Sequence, residues 1–240
     1  MKILFFAVSF LSLLHAQVFN TQIAPFLKGN QCQGITFLDQ KILDFKKIDG
    51  LKFSEISDLA YDGKLKKLYF LSDEGKIFIF DASFREKIER LTPVNGQKLT
   101  KQKGQKFRNW EHDSEGFALD NKGQVYISFE GNAKVGRFDD KARMEKEYHL
   151  PKKLSDPKNY RSPNKSLEAL AWHPKYGLLT VTEWPLKHKN KKEQTIYALN
   201  GKEWQFKAEA EQKSAVVALE VMDDGNILVM ERSFIDLLHP

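Results

Sequence analysis

The sequence is poor in cysteine, because Cys32 is the only one among 240 residues. A single cysteine cannot form an intramolecular disulfide, so core packing, a bound metal or both must stabilise the fold. Cys32 lies in a polar segment with no histidine nearby, and we expect it to have no catalytic role. The six histidines are dispersed along the chain. The lack of clustered histidine and cysteine argues against a zinc or copper site.

Several signature motifs are also missing. The sequence has no Gly-x-Ser-x-Gly nucleophile elbow, no phosphate-binding glycine-rich loop, no His-Glu-x-x-His motif and no EF-hand loop. Each motif positions the groups of one type of site, namely a serine nucleophile, a nucleotide phosphate, a zinc ion or a calcium ion. These four types of site are therefore excluded in their usual form.

Long apolar runs are scarce, and the only one extends from Ile3 to Leu14. Lys2 precedes this run and the small residue Ala16 follows it, an order that predicts a cleavable signal peptide over residues 1–16. A buried N-terminal helix is the alternative interpretation. The run is too short to span a bilayer, and no later segment is apolar enough to do so. We therefore expect a periplasmic or secreted protein whose mature chain begins near Gln17.

Acidic residues are fewer than basic ones: the sequence has 32 aspartates and glutamates and 38 lysines and arginines, which gives a net charge of +6. The lysines are scattered through loops and form no basic helix or aromatic-basic motif, so we expect no nucleic-acid partner. A basic surface would attract a small anionic or ester substrate, such as a phosphate ester. The hydrophobic content of 41% is sufficient for a core, and we expect a monomeric globular domain over residues 17–240.

A unit of about fifty residues recurs along the chain, and such a period indicates a propeller or a repeat array. Each copy has an apolar strand, a turn containing Gly, Asp or Pro, and a second strand rich in β-branched and aromatic residues. The four copies span Ser57–Gly75, Glu115–Gly131, Glu168–Glu183 and Ala218–Arg232. Additional strands are predicted at Lys76–Phe80, Lys134–Phe138 and Thr195–Leu199. We therefore predict an all-β fold, a β-propeller of four-stranded blades, with a β-sandwich as the alternative.

Carboxylates recur at fixed places in these copies. Glu115 and Glu168 begin the first strand of their copies. The second strands end at Asp73 or Glu74, Glu130, Glu183 and Glu231. In an antiparallel pair the start of one strand lies beside the end of the next, so all these acids belong at one end of the hairpins. In a propeller this end is the mouth of the central channel.

A ring of carboxylates requires compensation, because neighbouring negative charges raise one another's pKa. Oxygen ligands favour a hard cation, and we predict a Ca²⁺ site. The predicted ligands are Asp73, Glu115, Glu130, Glu168 and Glu183. We predict catalytic roles for Glu115, Glu168, Glu231 and Arg232, with Arg232 binding an anionic substrate. The alternative is that the acids only hydrate the rim of the fold. The pattern is incomplete, since Ser57 and Val217 or Ala218 take the place of the opening glutamate in the other copies.

The sequence resembles the phytase-like (esterase-like activity of phytase) domain family. The resemblance lies in five segments: Ser57–Asp62, Leu71–Asp73, Glu115–Ala118, Glu168–Ala171 and Leu228–Phe234. It implies a β-propeller, export from the cytoplasm, and hydrolysis of phosphate or other esters. Family members continue past Phe234 into another blade, so the propeller is expected to be truncated, to close with fewer blades through Lys41–Lys46, or to stay unclosed. Two other functions remain open: a non-catalytic periplasmic propeller that binds a ligand or a protein partner, and a lactonase of the regucalcin-like type.

Overall fold

The computed structural model describes residues 17–21, 31–32, 35–208 and 214–233. The predicted signal peptide, residues 1–16, lies outside the described residues. The described residues of the N-terminal part contain six short strands: β1 (Val18–Asn20), β2 (Gln31–Cys32), β3 (Ile35–Thr36), β4 (Lys41–Leu43), β5 (Lys47–Ile48) and β6 (Leu51–Lys52). They form three antiparallel pairs, β1 with β4, β2 with β3 and β5 with β6.

Three four-stranded antiparallel sheets follow, and each is one blade of a β-propeller. Blade 1 comprises β7 (Ile56–Asp62), β8 (Lys67–Ser72), β9 (Lys76–Phe84) and β10 (Ile88–Lys98). Blade 2 comprises β11 (Ser114–Leu119), β12 (Val125–Phe129), β13 (Lys134–Phe138) and β14 (Met144–Tyr148). Blade 3 comprises β15 (Leu167–His173), β16 (Gly177–Thr182), β17 (Glu193–Ala198) and β18 (Glu203–Lys207). In every blade, strands that are consecutive in sequence are neighbours in the sheet. The predicted fold class is thereby confirmed.

A fourth blade contains two strands within the described residues, β19 (Ser214–Val221) and β20 (Ile227–Ser233). Within the ranges that the structure describes, helical structure is limited to α1 (Lys152–Ser155) and three short 3₁₀ turns, Gln102–Gly104, Asn109–His112 and Pro157–Asn159. Among the described residues, no helix is long and apolar enough to cross a membrane. The N-terminal strand β4 pairs with β1, so closure of the fourth blade through Lys41–Lys46 is not seen in this part of the chain.

The core lies between the blades, because alternate residues of a strand project to opposite faces of its sheet. In β8, Tyr69 and Leu71 face blade 2, where they pack near Phe117 and other apolar side chains of β11 and β12. Leu68 and Phe70 project from the other face of β8 and pack in one cluster with Phe45, which lies between β4 and β5, and with apolar residues of the N-terminal strands. The N-terminal strands therefore cover part of the face of blade 1 that points away from blade 2.

The innermost strands β7, β11, β15 and β19 are neighbours around the channel, and each contains a β-bulge near its start. The pairing register shifts between Ile56 and Asp58, Ser114 and Phe117, Leu167 and Ala169, and Val216 and Ala218. A bulge leaves a residue without an opposite partner and redirects its side chain. Ser57, Glu115, Glu168 and Val217 lie at equivalent bulges, so the sequence register of these positions agrees with the structure.

Candidate functional site

A cavity of about 650 Å³ opens where the innermost strands begin and their partner strands end. We call it the acid cavity. All seven residues that the sequence predicts for the site lie along it: Asp73, Glu115, Glu130, Glu168, Glu183, Glu231 and Arg232. They belong to four different blades, so the repeat brings charged residues that are far apart in sequence together around one cavity.

Strand pairing explains why the two sets of acids meet. Ser114 pairs with Phe129, which places Glu115 near Glu130. Leu167 pairs with Thr182 and thereby brings Glu168 near Glu183. The bulges occur at these same points, and they turn both strand-opening glutamates towards the channel.

Five carboxylates form two overlapping groups that share Glu130. The first triad contains Asp113, Glu115 and Glu130, and the second triad contains Glu130, Glu168 and Glu183. Within each triad, one oxygen atom per residue lies within 4.8 Å of the others. Glu130 is only 4% exposed, and its Oε1 accepts a 3.1 Å hydrogen bond from the backbone N–H of Ser166. This bond fixes the shared carboxylate between blades 2 and 3.

Burial and mutual repulsion raise the pKa of these acids. Burial raises the pKa of Glu115 to about 10, and the carboxylates of Glu168 and Asp113 add to the effect. The pKa of Glu168 rises to about 8 because it is buried and lies near Glu183 and Glu130. Burial likewise raises the pKa of Glu130 to about 7. Without a bound cation, protons must therefore neutralise part of the cluster at neutral pH.

Lys165 forms an ion pair with a member of the second triad, Glu183. Its Nζ lies 2.6 Å from Oε1 and 2.5 Å from Oε2 of Glu183. Among the residues that the structure describes, no lysine or arginine forms an ion pair with Asp113, Glu115 or Glu130. Both triads are made of carboxylates, but within the described residues only the second contains an ion pair with a lysine.

Asp73 and Glu74 were equivalent candidates from the sequence, and their environments now distinguish them. Glu74 does not line the acid cavity. It pairs instead with Lys76 and accepts a 3.4 Å hydrogen bond from Ser54 Oγ. Asp73 lines the cavity, and its Oδ1 is buried with no hydrogen-bond partner. Burial and the nearby Glu55 and Asp113 raise the pKa of Asp73. Asp73 is therefore the acid that blade 1 contributes to the site.

Glu231 and Arg232 complete the cavity on the side of blade 4. Glu231 Oε2 accepts a 3.0 Å hydrogen bond from Ser214 Oγ, which ties β20 to β19. Arg232 is exposed at the cavity wall. Within the described part of the chain, no carboxylate lies within 4.0 Å of its guanidinium group. The charge of Arg232 is available to an anion that enters the cavity.

Three further charged residues of the site, Glu55, Asp113 and Lys165, were not predicted from the sequence. Each lies in a loop just before an innermost strand. Their only sequence signal is proximity, because each lies two or three residues before the bulged position of its strand. His112, which ends the 3₁₀ turn just before Asp113, has its Nδ1 3.4 Å from the backbone oxygen of Asp73.

The first triad fits a hard divalent cation. All its donor atoms are carboxylate oxygens, the ligands that Ca²⁺ prefers, and the set includes no nitrogen or sulfur ligand. The orphaned Oδ1 of Asp73 in the same cavity is a further oxygen without a partner. Excess negative charge and an unsatisfied buried oxygen are both relieved by a cation.

The comparisons with known proteins give one family. The family model described as Phytase-like, esterase-like activity of phytase, matches residues 51–238. This range includes all the blades and every residue of the acid cavity. No curated protein sequence matches the chain.

Several solved structures are similar to this chain. Selenomethionine-substituted virginiamycin B lyase from Staphylococcus aureus is 11% identical with a TM-score of 0.44, and the match covers 85% of this chain and 62% of the lyase. A protein of unknown function from Bacteroides caccae is 11% identical with a TM-score of 0.42, over 79% of this chain and 56% of that protein. The β-propeller domain of Cps50 (Swd1) from Myceliophteria thermophila is 11% identical with a TM-score of 0.38, over 75% and 50% of the two chains. This chain spans less than two thirds of each of the three proteins.

Proposed function

This chain belongs to the Phytase-like family, esterase-like activity of phytase, and from that premise we propose that it hydrolyses phosphate or other esters at the acid cavity. One observation carries the proposal: carboxylates from three blades and the exposed Arg232 of a fourth line the same cavity. A site that combines clustered acids with a cation suits an ester whose reacting group carries negative charge.

The substrate would bind with its anionic group at Arg232. An exposed guanidinium group can bind two oxygens of a phosphate or carboxylate at once, which fixes the orientation of the ester. The net positive charge of the chain favours the approach of such an anion, although the cavity itself is acidic. The reacting bond would then lie between Arg232 and the two triads.

Glu168 is the proposed general base. Its pKa of about 8 is close to physiological pH, which is the condition for efficient proton transfer in both directions. As a carboxylate, Glu168 accepts a proton from the attacking water, and it then returns this proton to the oxygen of the leaving alcohol. Glu115 and Glu130, with Asp113, would hold Ca²⁺. Bound there, the ion would stabilise the negative charge that develops on an oxygen of the substrate during hydrolysis.

An assay with a panel of p-nitrophenyl esters tests this function. The purified chain is given a phosphate monoester, a phosphate diester, a carboxylic ester and a lactone, each with Ca²⁺ or with a chelator. We expect Ca²⁺-dependent turnover of at least one ester, and a loss of about 10²-fold or more in Glu115→Gln and Glu168→Gln. Glu89→Gln is the matched control, because Glu89 lies on the outer strand β10 and pairs only weakly with Arg85 at 3.6 Å.

The same panel separates the alternatives. Turnover of the lactone alone would favour a lactonase, and Ca²⁺ binding without any turnover would favour a propeller that binds a ligand or a partner. Turnover that both glutamine variants retain in full would refute the assignment of the acid cavity as the active site.

Export is a separate part of the proposal. The order of Lys2, the apolar run and Ala16 supports a signal peptide over residues 1–16, and hence a periplasmic or secreted location. Expression of the chain from its own first methionine, followed by mass spectrometry of the product, tests this. A mature chain that begins near Gln17 is expected outside the cytoplasm. An intact N-terminus in the cytoplasmic fraction would overturn it.

A further inference from the structure

The two triads are two candidate binding sites for divalent cations in the acid cavity. Both offer three carboxylate oxygens within 4.8 Å of one another, and they share Glu130. From ligand type and spacing alone, each would accept one divalent ion. The two triads differ in their ion pairs with lysine, and this difference determines how many divalent cations can bind.

Lys165 fills the second triad with a charge of its own. Its Nζ contacts both carboxylate oxygens of Glu183, at 2.6 and 2.5 Å, so the ammonium group takes the place that a metal ion would take on that carboxylate. The Trp184 ring lies beneath the same ammonium group, with its centroid 5.2 Å from Nζ. The backbone N–H of Lys165 donates to the carbonyl oxygen of Ser162 at 3.1 Å. The lysine is therefore held at both ends rather than free to swing out.

Among the described residues, no ammonium or guanidinium group forms an ion pair with the first triad. The buried Lys134 donates from Nζ to the carbonyl oxygens of Glu111 at 2.8 Å and Asn132 at 3.3 Å. Its ammonium group also lies over the Phe129 ring, 4.2 Å from the centroid. Lys134 thus donates its hydrogen bonds to neutral groups beside the triad. It acts on Asp113 only through its charge, which opposes the rise in pKa that burial causes in that carboxyl.

We propose that the Lys165 ammonium is the built-in cation of the second triad, so that the acid cavity takes one divalent cation, in the first triad. This inference rests on the proposed function, because it assumes that the first triad binds Ca²⁺. A second Ca²⁺ would have to approach Glu183 against the ammonium charge and displace two charge-assisted hydrogen bonds. Lys165 also leaves Glu168 without a metal, which keeps that carboxylate free to act as a base.

The stoichiometry of Ca²⁺ binding tests the proposal. Isothermal titration of the full chain with calcium chloride, in a buffer without phosphate, should give one ion per chain. Lys165→Met removes the ammonium group but keeps a side chain of similar length, and should give two. Lys165→Arg keeps the charge and should give one. Lys153→Met is the matched control, because Lys153 makes the same two-oxygen contact with Glu203, both at 2.8 Å, away from the cavity.

Thermal unfolding supplies a second readout. Without Ca²⁺, Lys165→Met should unfold at a lower temperature than the parent chain, since Glu183 loses its partner while only 8% exposed. Added Ca²⁺ should raise the unfolding temperature of the variant more than that of the parent. Lys165→Gln replaces Lys165→Met if the latter does not fold.

The outcomes separate this inference from the proposed function. One ion in the parent and also in Lys165→Met (or in Lys165→Gln where it is the replacement), or two ions in the parent, would overturn the role of Lys165 while leaving a cation site in place. No binding by the parent or by any variant would overturn the cation site and this inference together. One ion in the parent, two in Lys165→Met and one in Lys165→Arg would support it.

Discussion

The backbone N–H of Phe117 donates a 2.7 Å hydrogen bond to Oδ2 of Asp58, and this bond joins blade 2 to blade 1. The other carboxylate oxygen of Asp58 accepts from the backbone N–H of Leu59 at 2.8 Å. Burial raises the pKa of Asp58 to about 7 despite these two bonds, with the carboxylate of Glu220 adding to the effect. Asp58 therefore connects two blades at a residue just below the acid cavity.

The first prediction concerns this connection. Asp58→Ala should lower the free energy of unfolding by about 1–3 kcal/mol, because it leaves the buried N–H of Phe117 without its acceptor. Asp58→Asn keeps an oxygen for this N–H and should have a smaller effect. Urea unfolding followed by tryptophan fluorescence measures the difference. Asp223→Ala, at an exposed turn, is the control and should change stability by less than about 0.5 kcal/mol. Equal values for Asp58→Ala and this control would contradict the prediction.

The second prediction concerns Gly116, which follows the bulged Glu115. A Cβ atom at this position would lie 2.5 Å from the backbone nitrogen of Leu170 and 2.5 Å from Ser128 Oγ. Since backbone atoms of the next blade cannot move aside easily, Gly116→Ala should destabilise the protein by about 1–3 kcal/mol. It should also weaken Ca²⁺ binding, because Glu115 shifts with its neighbour. Gly63→Ala is the matched control, since its added Cβ would meet only Tyr61 Cε1, at 3.7 Å. Unfolding and titration experiments on the two variants should differ clearly.

The third prediction concerns pH. Glu115, Glu168 and Glu130 have pKa values of about 10, 8 and 7 in the fold, against an ordinary value of 4.5. At a pH between the ordinary pKa of 4.5 and these raised pKa values, the native chain binds more protons than the unfolded chain. The free energy of unfolding therefore falls as the pH rises. In a chelator, the unfolding temperature should therefore fall from about pH 5 to about pH 9. Added Ca²⁺ should reduce this fall, because it replaces the protons in the first triad.

A variant makes this pH prediction specific. Glu115→Gln removes the acid with the highest pKa and should flatten the curve of unfolding temperature against pH, whereas Glu89→Gln should leave its shape unchanged. Differential scanning fluorimetry over the same range of pH is sufficient. An unfolding temperature that rises steadily in the chelator would show that these acids are not the groups that control stability.

The fourth prediction concerns Arg232 and rests on the proposed function. Arg232→Met should raise KM for a phosphate monoester by about tenfold or more, corresponding to about 1.4 kcal/mol. It should leave KM for a neutral ester nearly unchanged, because no anionic group then needs the guanidinium. Arg232→Lys keeps the charge but loses the two-oxygen contact, so its KM for the phosphate monoester should lie between those of the parent chain and of Arg232→Met. The control is Arg85→Met, at an arginine whose side chain is 81% exposed and far from the cavity in sequence. An equal effect on charged and neutral esters would count against the anion-binding role.

The repeat made much of this fold predictable from sequence. In β11 and β12, the alternation of apolar residues, the turn at Gly123 and the acids at both ends are local features, and antiparallel pairing converts them into a hairpin without reference to the rest of the chain. The same logic placed Glu115 beside Glu130 and Glu168 beside Glu183. The outer strands β10, β14 and β18 were less visible, because one of their faces is exposed and their apolar pattern is weak.

By itself, the sequence determined the class of fold, the repeat and the end of each hairpin at which acids gather, since all three depend on residues close together in the chain. Only the tertiary structure decided which charges meet. Lys165 and Asp113 enter the site because loops fold back onto the mouth of the channel, and Glu74 leaves it because Lys76 draws it away. Contacts of this kind depend on how loops and side chains are oriented in three dimensions, which the pattern of apolar and polar residues does not encode.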